Sequence, residues 1–333
     1  MEKIKDHKLL GAKFQQTPSV SGGASHPKRI TPDIIVLHYT ASPTAKSALA
    51  AMMGGRPASA HLCVDTDGTT YQLSDLNTIC WHAGKSKYAG RVGLNSSSIG
   101  IEIVNVGWLK KVGENKYVDA YKHPVDPEHV YKGKHRNKCT TPIYWHTYPE
   151  EQVQKVFEIC EAICKIYPIK YIVGHEEISP CRKQDPGPAF PLDEFRRKLL
   201  GGIEPGTKAT IKIDGTGIYT HPDVNSSRIE DLDEDEVVVL LNKIGDWYKV
   251  NEKMQGWVAD KYIDDDDSDN EWDGHVAVEK LNFRASPGGP KLAKSLTKNT
   301  KVKTLALAGE WANIEIEIEG WVHKNDLILP AEG

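Results

Sequence analysis

The densest set of reactive side chains in the chain is Gly174-His175-Glu176-Glu177-Ile178-Ser179-Pro180-Cys181-Arg182-Lys183-Gln184-Asp185-Pro186-Gly187-Pro188-Ala189-Phe190. The apolar run from Ile169 to Val173 before it reads as a strand. His175 is therefore presented at a strand end, and a loop punctuated by prolines returns Lys183 and Asp185 close to it. A hydrolytic zinc site needs three protein ligands drawn from His, Asp, Glu or Cys, and one open position for water. His175 and Asp185 can supply two. The third is expected from another strand end, and His38, directly after Ile34-Ile35-Val36-Leu37, is well placed. A single histidine at a strand end is more often packed or at the surface; only the combination points to a metal. Cys181 competes for the same duty, because a thiolate is a better zinc ligand than a carboxylate.

Holding these groups together requires strands and helices in alternation. Strands are predicted at residues 34–37, 60–64, 70–73, 99–104 and 169–173, the second and third joined by the turn Asp65-Thr66-Asp67-Gly68. Glu102 is the one charged residue in its apolar strand. One helix is expected over residues 43–53, with Ser42 as its N-cap and Pro43 opening it. A second is expected over residues 150–167, where Val153, Val156, Phe157, Cys160, Ile163 and Cys164 share a face. The fold class that follows is an α/β domain with a mixed central sheet flanked by helices. Residues 106–144 are polar, rich in Lys and Tyr, and longer than a simple strand-to-helix loop.

Five segments then occur in a telling order: Val36-Leu37-His38-Tyr39-Thr40-Ala41-Ser42; Ser59-Ala60-His61-Leu62 with Asp67-Gly68-Thr69; Trp81-His82-Ala83-Gly84; Ser98-Ile99-Gly100-Ile101-Glu102; and His175 to Phe190. Over roughly residues 10–200 the chain resembles the type 2 zinc-dependent N-acetylmuramoyl-L-alanine amidases, relatives of phage lysozyme-amidases and of animal peptidoglycan recognition proteins. The pattern G-H-x-x-I-x-P-x-R-K-x-D-P-G is the most specific part of the match. The resemblance implies Zn2+ held by His38, His175 and Asp185, with Glu102 as catalytic carboxylate and Lys183 as cationic stabiliser. It implies a substrate groove lined by His61, Trp81 and His82, ordinary packing being the competing account of Trp81. It favours Asp185 over Cys181, because Asp-Pro-Gly carries the match, although Cys181 stands where the family more often has a small residue. The implied reaction is cleavage of the amide between N-acetylmuramic acid and L-alanine in peptidoglycan. A non-catalytic peptidoglycan receptor on the same fold typically lacks a metal ligand, and here the full set is present.

Gly201-Gly202 and Pro205-Gly206 close this region, which gives an expected catalytic domain over residues 1–204. Beyond it the texture becomes β-rich and repeats itself. Gly245-Asp246-Trp247 with Gly256-Trp257-Val258 recurs as Gly309-Glu310-Trp311 with Gly320-Trp321-Val322, at a constant offset of 64. Two β modules are expected, at 205–263 and 275–333, joined by an acidic linker at 264–274. Leu281-Asn282-Phe283-Arg284-Ala285-Ser286-Pro287, and more distantly Gly217-Ile218-Tyr219-Thr220-His221-Pro222, resemble the opening of bacterial SH3-like cell-wall-binding domains. That resemblance implies two small all-β barrels that tether the enzyme to the wall by effective concentration.

Charge is uneven. From residue 205 onward there are 15 Lys and Arg against 25 Asp and Glu; the first 204 residues hold 27 against 21. A basic front half suits a sugar-polymer or anionic substrate, and the absence of a dense Lys/Arg run with interleaved aromatics speaks against nucleic acid. No apolar stretch is long enough to span a bilayer, so membrane insertion is not expected. The six cysteines are few for the length, and free thiols in a reducing compartment are expected for most of them. The first ten residues do not read as a secretory signal. With wall-binding modules this suggests an endolysin made in the cytoplasm and released late, an autolysin or a recycling amidase being the alternatives.

Overall fold

The computed structural model describes residues 2–14, 27–53, 59–135, 143–203, 205–265 and 274–330. The chain forms two compact units, Met1–Gly202 and Ile203–Gly333. No helix among the described residues is long and apolar enough to cross a membrane.

The first unit is built on a six-stranded mixed sheet. Its strands run in the order Tyr171–Gly174, Ile34–Tyr39, Ser98–Ile103, Leu62–Val64, Thr70–Gln72 and Lys13–Phe14. The first four are mutually parallel and nearly all their residues are buried, as continuous apolar runs in a parallel sheet require. Leu62–Val64 and Thr70–Gln72 form the expected hairpin, turning through Gly68 at φ +77°. Among the described residues four helices accompany the sheet: α1 (Ala45–Met53), α2 (Glu150–Ile166), α3 (His175–Ile178) and α4 (Leu192–Leu200). Helix α1 begins two residues later than predicted. Thr44 rather than Ser42 caps it, its Oγ1 accepting from the Ser47 N–H at 3.2 Å.

Side chains alternate across a strand, so the sheet has two faces of different character. Ile35, Leu37, Ile99, Ile101, Ile103 and Ile172 project to one side and pack against Val156, Ile159 and Ile163 of α2 and Phe195 of α4. The residues between them, His38, Ser98, Gly100 and Glu102, project to the other. On that side Cys63, Leu73 and Val104 meet Ala45, Ala48 and Leu49 of α1. One face is thus a sealed hydrophobic layer, and the other is left to chemistry.

The long polar stretch has its own structure: an antiparallel sheet ordered Pro124–Val125, Lys116–Val118, Trp108–Gly113, Tyr144–His146, Val130–Lys132. Trp145 is its buried anchor. Of the cysteines, Cys63, Cys80, Cys160 and Cys164 are free, in line with the expectation for most of the six; Cys181 is disulfide-bonded, and Cys139 lies outside the described residues. The four free thiols are inside or partly inside the unit, whereas Cys181 sits on an exposed loop where a partner can reach it.

The second unit is strand-rich, and its two sequence repeats are interleaved rather than strung out. Trp247–Ala259 and Trp311–His323, equivalent segments of the two copies, pair antiparallel over all thirteen residues. Lys253 and Glu317 occupy the same place in their copies and face each other, so a pseudo-two-fold axis passes through that pair. The ends exchange as well: Thr210 and Ile211 pair with Ile328 and Leu327, and Ile263–Asp265 pairs with Gly274–Val276. A single hydrophobic cluster holds Ile218, Val238, Leu240 and Val250 of one copy together with Phe283, Ile314, Ile316 and Ile318 of the other. The expected modules at 205–263 and 275–333 thus meet along paired strands, which the repeat does not reveal: it shows that two copies exist but not which strands they pair. Most of the expected linker, residues 266–273, lies outside the described residues. Trp311–His323 alternates buried Ala312, Ile314, Ile316, Ile318 and Val322 with outward Glu315, Glu317 and Glu319. Gly320 lies in this series because a β-carbon there would overlap Ile218.

Candidate metal centre and active site

Three strand ends bring the site together. His38 is the fifth residue of Ile34–Tyr39, and its register partner on the neighbouring parallel strand is Glu102. His175 follows Tyr171–Gly174 on the other side and opens α3. The loop after α3 carries Lys183 and Asp185 back, pinned where the Glu176 N–H donates to the Asp185 carbonyl at 2.9 Å. Gly174 is needed at the junction, since a β-carbon there would press on the Pro186 ring.

His38 Nδ1, His175 Nδ1 and Asp185 Oδ2 converge. His38 Nδ1 stands 2.9 Å from His175 Nδ1 and 3.0 Å from Asp185 Oδ2, and His175 Nδ1 is 2.9 Å from the same oxygen. All three residues are buried. Ligands about 2.0–2.1 Å from one tetrahedral zinc stand about 3.3 Å from each other, so this triangle is of the right size. The protonation states agree. Burial, reinforced by the nearby His175, lowers the His38 pKa to about 4, leaving a neutral imidazole at pH 7. Burial alone would push Asp185 up, but the His175 and His38 rings beside it outweigh that and hold the carboxylate well below its usual range. Two imidazoles and one carboxylate are a donor set that zinc takes in hydrolytic sites, and the residues fit that ion. Cys181, once a rival to Asp185, has its sulfur in a disulfide and offers no thiolate.

Glu102 is the only residue of Ser98–Ile103 that is not fully buried. Its carboxyl is pushed up to about 8, by burial first and by the Asp185 charge second, while Lys183 pulls it down. The same Lys183 charge is felt at His38. Glu102 and Lys183 are thus electrostatic neighbours of the triad, a carboxyl able to move a proton and a cation able to meet developing negative charge.

The three residues expected along a substrate groove separate. Trp81 is 43% exposed and free to meet a ligand. His61 is fully enclosed, with Nδ1 accepting from the Gly100 N–H at 2.9 Å and Nε2 against the Thr78 carbonyl at 2.7 Å. His82 is buried behind His38, its Nδ1 3.1 Å from His38 Nε2 and its Nε2 3.2 Å from Ser98 Oγ. Both histidines have their ring nitrogens used inside the protein, so neither is available to substrate. Residue type and order in the chain did not reveal on which side of His38 they would fall.

Sequence reasoning also passed over a clamp on the Asp185 loop. Glu176 and His135, both with fully enclosed side chains, pair through Glu176 Oε2 and His135 Nε2 at 3.0 Å. The same Oε2 accepts from the Gly187 N–H at 2.8 Å, and His135 Nε2 also reaches the Gln184 carbonyl at 3.0 Å. His135 is stacked on Trp145 at 5.4 Å. The polar stretch between Ser98–Ile103 and α2 therefore buttresses the loop that carries Asp185. An acid directly after a recognised His was the available hint, but its burial is not legible in one sequence. Opposite it, Arg182 Nη2 donates to the carbonyls of Lys85 at 2.9 Å and Ala83 at 3.2 Å, tying the loop to the Trp81–Gly84 segment.

Residues 28–188 match the model of the family described as N-acetylmuramoyl-L-alanine amidase, Amidase_2. Curated relatives agree on that enzyme class. The chain is 28% identical over 202 residues to N-acetylmuramoyl-L-alanine amidase AmiD of Escherichia coli K12, covering 58% of this chain and 62% of AmiD. It is 31% identical over 140 residues to 1,6-anhydro-N-acetylmuramyl-L-alanine amidase AmpD of the same organism, covering 41% of this chain and 56% of AmpD. The matches thus span less than two thirds of either relative. Among solved structures, AmiD in complex with anhydro-N-acetylmuramic acid-L-Ala-D-gamma-Glu-L-Lys is similar at 24% identity and a TM-score of 0.37, covering 62% of this chain and 74% of that one.

Proposed function

We propose that the chain is a peptidoglycan amidase that hydrolyses the bond between N-acetylmuramic acid and L-alanine. The observation that carries this reading is the convergence of His38, His175 and Asp185 beside Glu102. His38, His175 and Asp185 would hold a zinc ion, which when bound would supply Lewis acidity and lower the pKa of a water to about 7. Glu102, as carboxylate, takes the proton from the attacking water and hands it to the departing L-alanine nitrogen, the C–O bond forming before the C–N bond breaks. Lys183 faces the oxygen on which negative charge develops; a preorganised donor of this kind is worth about 3 kcal/mol. Exposed Trp81 offers a flat apolar surface for a sugar ring or stem peptide.

The second unit is proposed to hold the enzyme on the wall as an SH3-like binding region, its acidity attracting amine-bearing stem peptides. Wall binding should then fall with salt. An endolysin that acts on the wall is the proposed setting. A second reading has its own support: several relatives are named for 1,6-anhydro-N-acetylmuramyl-L-alanine, which fits an enzyme that recycles soluble fragments. Digestion of purified sacculi and of soluble anhydro-muropeptides, each with and without chelator and scored by mass, tests both. Release of L-Ala peptides from intact sacculi, abolished by chelator, supports the wall enzyme; cleavage of soluble fragments alone supports recycling; new sugar reducing ends contradict both.

A further inference from the structure

The hydrogen bonds behind His38 dictate where its proton sits. The Leu94 carbonyl can only accept, and Ser98 Oγ lies 2.7 Å from it, so the single hydroxyl proton of Ser98 is committed there. Ser98 Oγ, 3.2 Å from His82 Nε2, must then accept from that nitrogen. With its proton on Nε2, neutral His82 presents a bare Nδ1 to His38 Nε2 at 3.1 Å, and His38 must be the donor across that gap. The His38 proton is thus held on Nε2, and Nδ1, the atom turned toward His175 and Asp185, keeps its lone pair.

The surroundings are shaped to keep this chain of bonds in place. Ser98 and Gly100 lie on the same strand face as Glu102, two residues apart. A β-carbon on Gly100 would overlap the His82 ring, so glycine is what admits the imidazole beneath His38. His61 stands edge-on to His82 with ring centres 5.7 Å apart, and itself accepts the Gly100 N–H. His82 therefore has its position set from one side by the strand and from the other by His61.

We infer that His82 and Ser98 are positioning residues which, through the relay Leu94 carbonyl–Ser98–His82–His38, lock His38 into the Nε2–H form and turn it into a metal ligand through Nδ1. The inference rests on the proposed metal site. Metal-bound histidines usually donate their second N–H to a carboxylate, a carbonyl or water. Here the acceptor is a second imidazole, whose own tautomer a serine must fix, so the arrangement depends on two side chains rather than one. His82 touches neither substrate nor metal in this scheme; its effect passes through His38.

The test is a long-range 1H–15N NMR spectrum of the metal-free full chain labelled on histidine, with zinc affinity measured by chelator competition. His38 and His82 should both show the Nε2–H tautomer before any metal is added. His82→Ala should weaken zinc binding about 10–100-fold. His82→Asn, which can place a carbonyl oxygen where Nδ1 was, should recover much of that loss, and Ser98→Ala should shift the His82 signals toward a mixture of tautomers. Either histidine in the Nδ1–H form in the wild type, or a folded His82→Ala protein that binds zinc as the wild type does, would overturn the inference. A wild type with the expected tautomers but no affinity for zinc would instead remove the metal-site reading on which it rests.

Discussion

The two units of this chain use strand pairing for opposite ends. In the first, parallel strands collect unlike residues from distant parts of the sequence, His38, Glu102 and His175 among them, onto one face and one end of a sheet whose other face is sealed by α2 and α4. Each of those positions occurs once and has no substitute. In the second, like is paired with like: equivalent strands of two copies face each other about Lys253 and Glu317, and the core is drawn from both. The two units should therefore be fragile in different places. Single polar side chains decide the first unit's function with little effect on its fold, whereas order in the second rests on the pairing as a whole, with individual surface residues counting for little.

The sharpest way to break this contrast is to delete residues 275–333 from the full chain. All thirteen residues of Trp247–Ala259 would lose their partner strand and the shared core would be halved. The remaining copy should lose its structure, seen as rapid proteolysis beyond residue 203; a protease-resistant fragment over residues 205–263 would restore the picture of independent modules. Next in size is Glu102→Gln, which keeps the shape but cannot accept a proton. Turnover should fall by about 10²–10⁴-fold with zinc content unchanged. Retained activity would move the proton-transfer role elsewhere.

A third change, Ile316→Ala, removes a buried side chain from the middle of the paired strands. It should cost about 2–5 kcal/mol in denaturant unfolding of the second unit. The smallest effect is expected from Lys253→Ala. Although Lys253 lies on the pseudo-two-fold axis and reaches Glu315 at 3.2 Å, it is exposed, so the loss should be about 0–1 kcal/mol. A larger loss would mean that the charged face, rather than the apolar one, holds the copies together.

Much of the first unit could be read in advance because its signals are local. An apolar run ending in His38, another ending in Gly174-His175, and the Asp185-Pro186-Gly187 turn mark strand ends and a ligand loop without any knowledge of the whole. What could not be read depends on which side of a sheet a residue faces. His61 and His82 were assigned to a groove, yet Gly100 opens the space that takes His82 beneath His38. The same holds for the enclosed Glu176–His135 pair, whose partners are 41 residues apart. In the second unit the 64-residue offset identifies the copies, but pairing is a three-dimensional choice between strands of similar pattern.

The proposed chemistry requires that His38, His175 and Asp185 hold one divalent ion. Titration of the metal-free full chain with zinc, followed by chelator competition and repeated on Asp185→Ala and Glu102→Gln, tests this directly. One zinc per chain should bind tightly in the wild type and in Glu102→Gln, and Asp185→Ala should lose most of the affinity while keeping its far-ultraviolet circular dichroism. Unchanged zinc binding in a folded Asp185→Ala protein, or no binding by the wild type, would contradict it.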